Sequence, residues 1–295
     1  MAARILDGKE LAASLWSEMK EDVARLKAEH DLIPGLAVVL VGDNPASISY
    51  VRGKQKACDE IGIYSQEEKF DAGMSQSALE DVIARLNQDV RINGILVQLP
   101  LPNGLDEDAA INALDPDKDV DGLHPVNLGR LMRQEPGFWP CTPHGIQMIL
   151  KRSGIEVAGR HVVVVGRSSL VGRPVANILA QKADGANATV TMCHTGTRDL
   201  GAFTRMADIL IVVAGSPGAI TADMVGEGAV VIDVGVSQVE DPSRKRGYRL
   251  VGDVDFDNVK DKASAITPVP GGVGPMTITM LLYNTILAAK RVRDL

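Results

Sequence analysis

Tyr50 and Lys54 stand four residues apart in the stretch SISYVRGKQKACDEI (47–61), which reads as a helix, so their side chains share one face. A lysine held beside a tyrosine in a half-buried cleft has its ammonium pKa lowered and becomes able to move protons near neutral pH. Most lysines are solvated cations, and Arg52 and Lys56 flank this one. Gln98 interrupts an otherwise apolar strand end, GILVQL, at the carboxyl end where parallel strands gather ligands.

Asp115, Asp117, Asp119 and Asp121 alternate along DPDKDVDG. Asp117, Asp119 and Asp121 with Gly122 imitate the start of a calcium-binding EF-hand loop. The twelfth position is Leu128 and Pro125 intrudes, so calcium is not expected. Most of these aspartates suit turns, which leaves a polar loop carrying a carboxylate, Asp121, near a domain junction, where ligand sites often lie. Cys58, Cys141 and Cys193 form no CxxC and read as small buried hydrophobes, the five histidines form no HxxxH pair, and no metal site is expected.

A second group of residues suits a phosphate. The segment Gly166-Arg167-Ser168-Ser169-Leu170-Val171-Gly172 joins a run of four valines to a helix. Glycine at a strand exit lets backbone approach a phosphate, and free N–H groups at the helix start supply partial positive charge. Glycines fall only at Gly166 and Gly172, so the GxGxxG fingerprint of dinucleotide sites is not met, and an ordinary tight turn is an equal reading of the loop alone. About 20 residues on, where an NAD site places an acid for the ribose 2′-hydroxyl, stand His194, Thr195, Thr197 and Arg198, with no carboxylate before Asp199. Hydroxyls and a cation suit a 2′-phosphate better, so NADP is the expected dinucleotide. Pro268-Val-Pro-Gly271-Gly272-Val-Gly-Pro275 is too rigid and glycine-rich for a passive linker and would let backbone approach a flat ligand closely.

These residues need strands and helices to hold them, and the alternation of apolar runs with helix-length segments predicts an α/β protein with parallel strands. Expected strands are 36–41, 94–99, 161–165, 189–193, 208–213 and 229–234. Expected helices are 47–61, 75–87, one opening at Thr142-Pro143 and reaching about 153, and 277–292. Four strands between 161 and 234 predict a nucleotide-binding domain. Five prolines between 116 and 143 break the pattern and mark the domain junction.

The 295 residues carry 31 Lys+Arg against 38 Asp+Glu, a net charge of −7, which argues against nucleic-acid or anionic-membrane partners. Aromatic residues at 3% leave little for base stacking. No run approaches the length of a membrane span, and charge appears before any apolar run that would serve as a signal peptide, so a cytoplasmic location is expected.

Together, Tyr50-Val-Arg-Gly-Lys54, Gly94-Ile-Leu-Val-Gln-Leu-Pro-Leu-Pro102, Asp117-Lys-Asp-Val-Asp-Gly122, Cys141-Thr-Pro143, Gly166-Arg-Ser168 with Val171-Gly-Arg-Pro174, and Ile266-Thr-Pro-Val-Pro-Gly-Gly-Val-Gly-Pro-Met-Thr277 are distinctive in type and order. Over essentially its whole length the sequence resembles the bifunctional methylenetetrahydrofolate dehydrogenase/cyclohydrolase family. The resemblance implies an N-terminal folate-binding catalytic domain (1–140), completed by a C-terminal helix (276–295), and a Rossmann-type NADP-binding domain (141–275). It implies NADP-dependent oxidation of 5,10-methylenetetrahydrofolate, then hydrolysis of the methenyl product to 10-formyltetrahydrofolate, in one-carbon metabolism that feeds purine biosynthesis. Lys54 would be the central catalytic residue, Tyr50 would stack on the folate and orient it, Gln98 would tune it, and Asp121 would hold the pterin. Pro268, Gly271 and Gly272 would line the folate site. Gly166, Arg167, Ser168, Gly172, Thr195, Arg198 and Val236 would hold NADP. A homodimer formed through the cofactor domain is also implied.

A dehydrogenase of similar build acting on another small substrate, such as a shikimate, leaves Tyr50-x-x-x-Lys54 and PVPGGVGPMT unexplained. A cofactor-binding sensor without chemistry would be supported by loss of Lys54, Gln98 or Asp121, and all three are present.

Overall fold

The computed structural model describes residues 2–244 and 247–295. In chain order its elements begin with β1 (Arg4–Ile5), α1 (Gly8–His30), β2 (Gly35–Val41), α2 (Pro45–Ile61), β3 (Tyr64–Phe70), α3 (Gln76–Gln88) and β4 (Gly94–Val97). There follow α4 (Glu107–Asn112), α5 (Pro125–Arg133), α6 (Cys141–Arg152), β5 (His161–Val165), α7 (Gly172–Ala180), β6 (Thr189–Cys193), α8 (Leu200–Thr204) and β7 (Ile209–Val212). The chain ends with β8 (Val230–Asp233), β9 (Ser237–Glu240), β10 (Tyr248–Val251), α9 (Phe256–Val259), β11 (Ala265–Ile266) and α10 (Val273–Arg291).

The chain separates into two compact units, one of residues 13–141 and 278–295, the other of 1–12 and 142–277. By compactness the first twelve residues belong with the second unit, because β1 pairs with β11.

In the 13–141 unit, β2 lies between β3 and β4 in a parallel sheet. Its seven residues are all buried, which is why it reads as an unbroken apolar run. Helix α3 turns Leu79, Ile83 and Leu86 onto Val39, Ile95 and Val97 at the helical spacing of one face. Asn44 caps α2 by accepting from the N–H groups of Ala46 and Ser47, with Pro45 in the first turn and Gly62 as the left-handed C-cap.

In the other unit six parallel strands run in the order β1-β11-β8-β7-β5-β6. Their core packs Val163, Val165, Leu210, Val212 and Val231 beneath short helices. The chain runs outward from β5 to β6 and resumes on the opposite side of β5 with β7. That reversal opens a crevice at the carboxyl ends of β5 and β7. Residues 182–188, which precede β6, are tied to α6 by the Lys151–Asp184 ion pair at 2.6 Å.

Several elements depart from the expectation. Helix α6 begins at Cys141 rather than after a Thr142 cap, which puts Pro143 within the first turn, where its missing N–H needs no partner. Helix α10 begins at Val273, four residues before the expected start, with Pro275 likewise in its first turn. Helices α1 and α5, the polar strand β3 and the β9–β10 hairpin lie outside the expected elements; α1 has no continuous apolar run, only buried residues at helical spacing, Ala12, Leu15, Met19, Val23 and Leu26. No helix among the described residues is long and apolar enough to cross a membrane.

Candidate active site

Lys54 lies in the middle of α2 and is buried. Its Nζ donates to Oε1 of Gln98 at 2.9 Å. Gln98 follows the end of β4, its N–H bonded to Val39 O at 2.9 Å and its amide donating to Leu99 O at 2.6 Å. That second bond settles which amide atom faces the lysine: the oxygen, an acceptor. The peptide after Leu99 is cis. Burial holds the Lys54 ammonium below its ordinary range, while the charge of Asp121 pulls it part of the way back. Tyr50 sits one turn earlier on α2 and is half exposed, its ring offering a surface to a planar ligand.

Asp121 is carried by a loop fixed from several sides. Asp119, two residues earlier, is buried and accepts from the N–H of His124 at 2.8 Å and from Asn127 Nδ2 at 2.9 Å. Burial raises its carboxyl to about 6. From α10, Asn284 donates to Val120 O at 2.8 Å and Trp139 O at 3.1 Å. Cys141 donates its backbone N–H to Asp121 O at 3.2 Å and its thiol to Val120 O at 3.3 Å.

The reading of Cys58, Cys141 and Cys193 as buried residues holds for all three. For Cys141 it is incomplete, because this thiol interacts with both Asp121 and Lys54. Burial, followed by the charge of Asp121, pushes it far up, so it remains a protonated thiol. The structure therefore brings Lys54, Gln98, Asp121 and Cys141 together. Sequence reasoning missed Cys141 and Asn284, and only the Cys141-Thr-Pro143 motif pointed near the former.

The second group of residues lies at the carboxyl ends of the six-stranded sheet. Gly166 has φ +129°, and a Cβ there would stand 2.2 Å from Val213 O. A Cβ on Gly172 would stand 2.4 Å from Gly166 O. Both glycines are thus demanded by close approach of backbone at the β5 exit. Arg167 and Ser168 are exposed beside them. The Ser168 hydroxyl accepts from the N–H of Val171 at 3.2 Å and of Gly172 at 3.3 Å, so it caps the start of α7.

Beyond β6, Thr195 and Arg198 are exposed. Thr197 Oγ1 accepts from His194 N at 2.9 Å. Asp199, the first carboxylate after the strand, accepts from Ala202 N at 3.2 Å as the N-cap of α8. Val236 is exposed beyond β8. Pro268 and Gly271 are half-buried and Gly272 is buried, its N–H bonded to Pro268 O at 2.8 Å. Among the described residues no cluster of histidine, cysteine or carboxylate side chains is placed to hold a metal ion.

Residues 6–121 match the model of the tetrahydrofolate dehydrogenase/cyclohydrolase catalytic domain, and residues 140–293 match that family's NAD(P)-binding domain. The bifunctional protein FolD of Dehalococcoides mccartyi is 57% identical over 296 residues, covering 100% of this chain and 99% of that protein. The FolD of Syntrophus aciditrophicus is 58% identical over 98% of both chains. Among solved structures, the methylenetetrahydrofolate dehydrogenase-cyclohydrolase of Trypanosoma brucei, complexed with NADP and an inhibitor, superposes with a TM-score of 0.94 at 41% identity, covering 100% of both chains. With both domains matched and identity above one half along the whole chain, this protein belongs to the tetrahydrofolate dehydrogenase/cyclohydrolase family.

Proposed function

We propose that this chain oxidises 5,10-methylenetetrahydrofolate with NADP and hydrolyses the methenyl product to 10-formyltetrahydrofolate, with Lys54 as the proton-handling residue. The observation that carries the reading is a buried lysine, its pKa depressed, bonded to Gln98 and attracted by Asp121.

In the hydrolytic step water adds to the electrophilic methenyl carbon and gives up two protons as the formyl C=O forms. One goes to N5 as its bond to that carbon breaks, and the other leaves to solvent. A lysine whose ammonium is destabilised by burial accepts a proton readily and returns it readily. Gln98 presents only an acceptor to Nζ, so it takes an N–H from the lysine in either charge state and turns the lone pair of the neutral amine away from itself. Asp121 opposes the effect of burial, keeping Lys54 within reach of both forms, and its carboxylate suits the N–H edge of a pterin. Tyr50 offers a ring for stacking.

The glycine-lined exit of β5 fits the phosphates of a dinucleotide, since a side chain at Gly166 or Gly172 would fill that approach. Gly166, Arg167, Ser168 and Gly172 would hold these phosphates. Thr195 and Arg198 would meet a 2′-phosphate, a preference supported by the engagement of Asp199 as a helix cap. Val236, exposed beyond β8, would also contact NADP. NADP, when bound, supplies the hydride acceptor for the oxidation. Pro268, Gly271 and Gly272 would line the folate site.

We further place the chain as a homodimer in the cytoplasm, supplying formyl groups for purine biosynthesis. Three buried free thiols suit a reducing compartment, and light scattering on the purified protein tests the dimer.

The deciding assay is spectrophotometric, with 5,10-methylenetetrahydrofolate and either NADP⁺ or NAD⁺, followed by decay of the methenyl absorbance against a control without enzyme. Reduction of NADP⁺ together with accelerated decay is the expected result. Silence with both nucleotides from folded protein overturns the proposal.

A further inference from the structure

Two carboxylates at the strand ends of the six-stranded sheet are buried and interlocked. Asp233, the last residue of β8, accepts from the backbone N–H groups of Gly235 at 3.0 Å, Asp253 at 3.0 Å and Val254 at 2.9 Å. Asp253, just after β10, accepts with its Oδ2 from Ala214 N at 2.7 Å and Gly215 N at 2.8 Å. Its Oδ1 is buried with no hydrogen-bond partner. Each acid presses on a glycine beside the other. A Cβ at 235 would stand 2.2 Å from the Asp253 carboxyl carbon, and one at 252 would stand 1.8 Å from Asp233 Oδ2.

The place of this pair in the topology gives it meaning. In a sheet of order β8-β7-β5-β6 the ligand crevice lies between β5 and β7, where the connection from β5 to β6 and the connection from β7 to β8 run in opposite directions. One wall is the β5 exit, Gly166 to Ser168. The other is the β7 exit, Val213 to Gly215, which meets the first wall where Val213 O closes on Gly166. Val213 itself is fixed by its N–H to Val165 O at 2.7 Å. The next two N–H groups leave the sheet ladder and turn to Asp253. Two successive amides on one carboxylate oxygen are charge-assisted bonds at the short end of the range. A buried carboxylate oxygen left unpaired is costly. That cost marks Asp253 as more than a packing residue.

We propose that Asp253 is a positioning residue for the dinucleotide: it pins the Ala214–Gly215 turn and so sets one wall of the crevice, while Asp233 holds the backbone of Asp253 in turn. The inference rests on the reading of this unit as the NADP-binding one.

The test measures NADP⁺ affinity and KM for wild type, Asp253→Asn and Asp253→Ala, beside methenyl hydrolysis without nucleotide and thermal midpoints. Asn keeps one acceptor oxygen without the charge, whereas Ala leaves both N–H groups unbound. Affinity for NADP⁺ is expected to fall about threefold in the first and about 10- to 100-fold in the second. Nucleotide-free hydrolysis, carried by Lys54 in the other unit, is expected to change far less. Equal losses of NADP⁺ affinity and hydrolysis, tracking the thermal midpoint, would show a general structural role and overturn the proposal. So would an unchanged NADP⁺ affinity in folded Asp253→Ala. Should Asp253→Ala fail to fold, Asp253→Asn decides, and wild-type affinity in that variant overturns it. Wild-type protein that binds no NADP⁺ removes the underlying reading of the unit, a result distinct from those in the variants.

Discussion

Replacing Lys54 with Met removes the ammonium and keeps an unbranched chain of similar reach in α2. Gln98 Oε1 then loses the donor now 2.9 Å away, and Asp121 loses its nearby cation. Burial outweighs both attractions at Lys54, since the pKa lies below the ordinary 10.5. The charged form is therefore a net burden on the fold. At pH values below the folded-state pKa both folded and unfolded chains carry the ammonium, and the folded chain bears the whole burden. As the pH climbs toward 10.5 the folded chain sheds its proton first and the burden fades. The Met variant should thus be at least as stable as wild type at neutral pH, with its advantage shrinking as the solution becomes alkaline. Removing a general acid–base group costs about 10²- to 10⁴-fold in rate, equivalent to about 3–5 kcal/mol of barrier. The assay follows decay of the methenyl absorbance, with NADP⁺ titrated separately to show that the other unit is intact. A folded, NADP⁺-binding Lys54→Met protein that hydrolyses within a few-fold of wild type would refute the role assigned to this lysine.

Removing the attraction of Asp121 with Asp121→Asn should lower the Lys54 pKa further and move the acid limb of the hydrolysis pH profile to lower pH; a limb that stays in place contradicts the coupling. Arg198→Ala should weaken NADP⁺ about 10- to 100-fold and NAD⁺ little, and equal losses in parallel titrations would exclude a 2′-phosphate contact. Asp233 titrates at about 6 in the fold against an ordinary 3.8, chiefly through burial, so its neutral form is favoured and stability is lost as the pH rises through that window. Roughly two units correspond to about 3 kcal/mol. The destabilisation caused by Asp233→Asn should therefore shrink by up to that amount between pH 4 and pH 7, and urea titrations giving the same difference at both would rule this out.

The sequence by itself determined the parallel α/β architecture. Strands buried on both faces, such as Gly35–Val41 and the four valines 162–165, must be apolar along their buried run, and that signature survives without any knowledge of partners. It also determined which residue types were available for chemistry, because Tyr50 and Lys54 share a helical face through local geometry alone. Elements whose pattern is set by neighbours were not legible. The strand Tyr64–Phe70 is polar because it lies at a sheet edge, and Arg4–Ile5 exists as a strand only by pairing with Ala265–Ile266.

Tertiary structure alone decided the character of the site. Helical spacing sets Lys54 on the face of Val51, Cys58 and Ile61 and leaves Lys56 off it, but it does not say what packs over that face. Burial depresses the pKa of Lys54, and Gln98, 44 residues away, supplies the acceptor. The same holds for Cys141, whose thiol reads as packing until the fold sets it beside Asp121. Asn284 likewise ties Val120 and Trp139 together across more than 140 residues. Periodicity records which face of an element leaves water. Which groups meet on that face, and at what electrostatic cost, depends on contacts between segments distant in sequence.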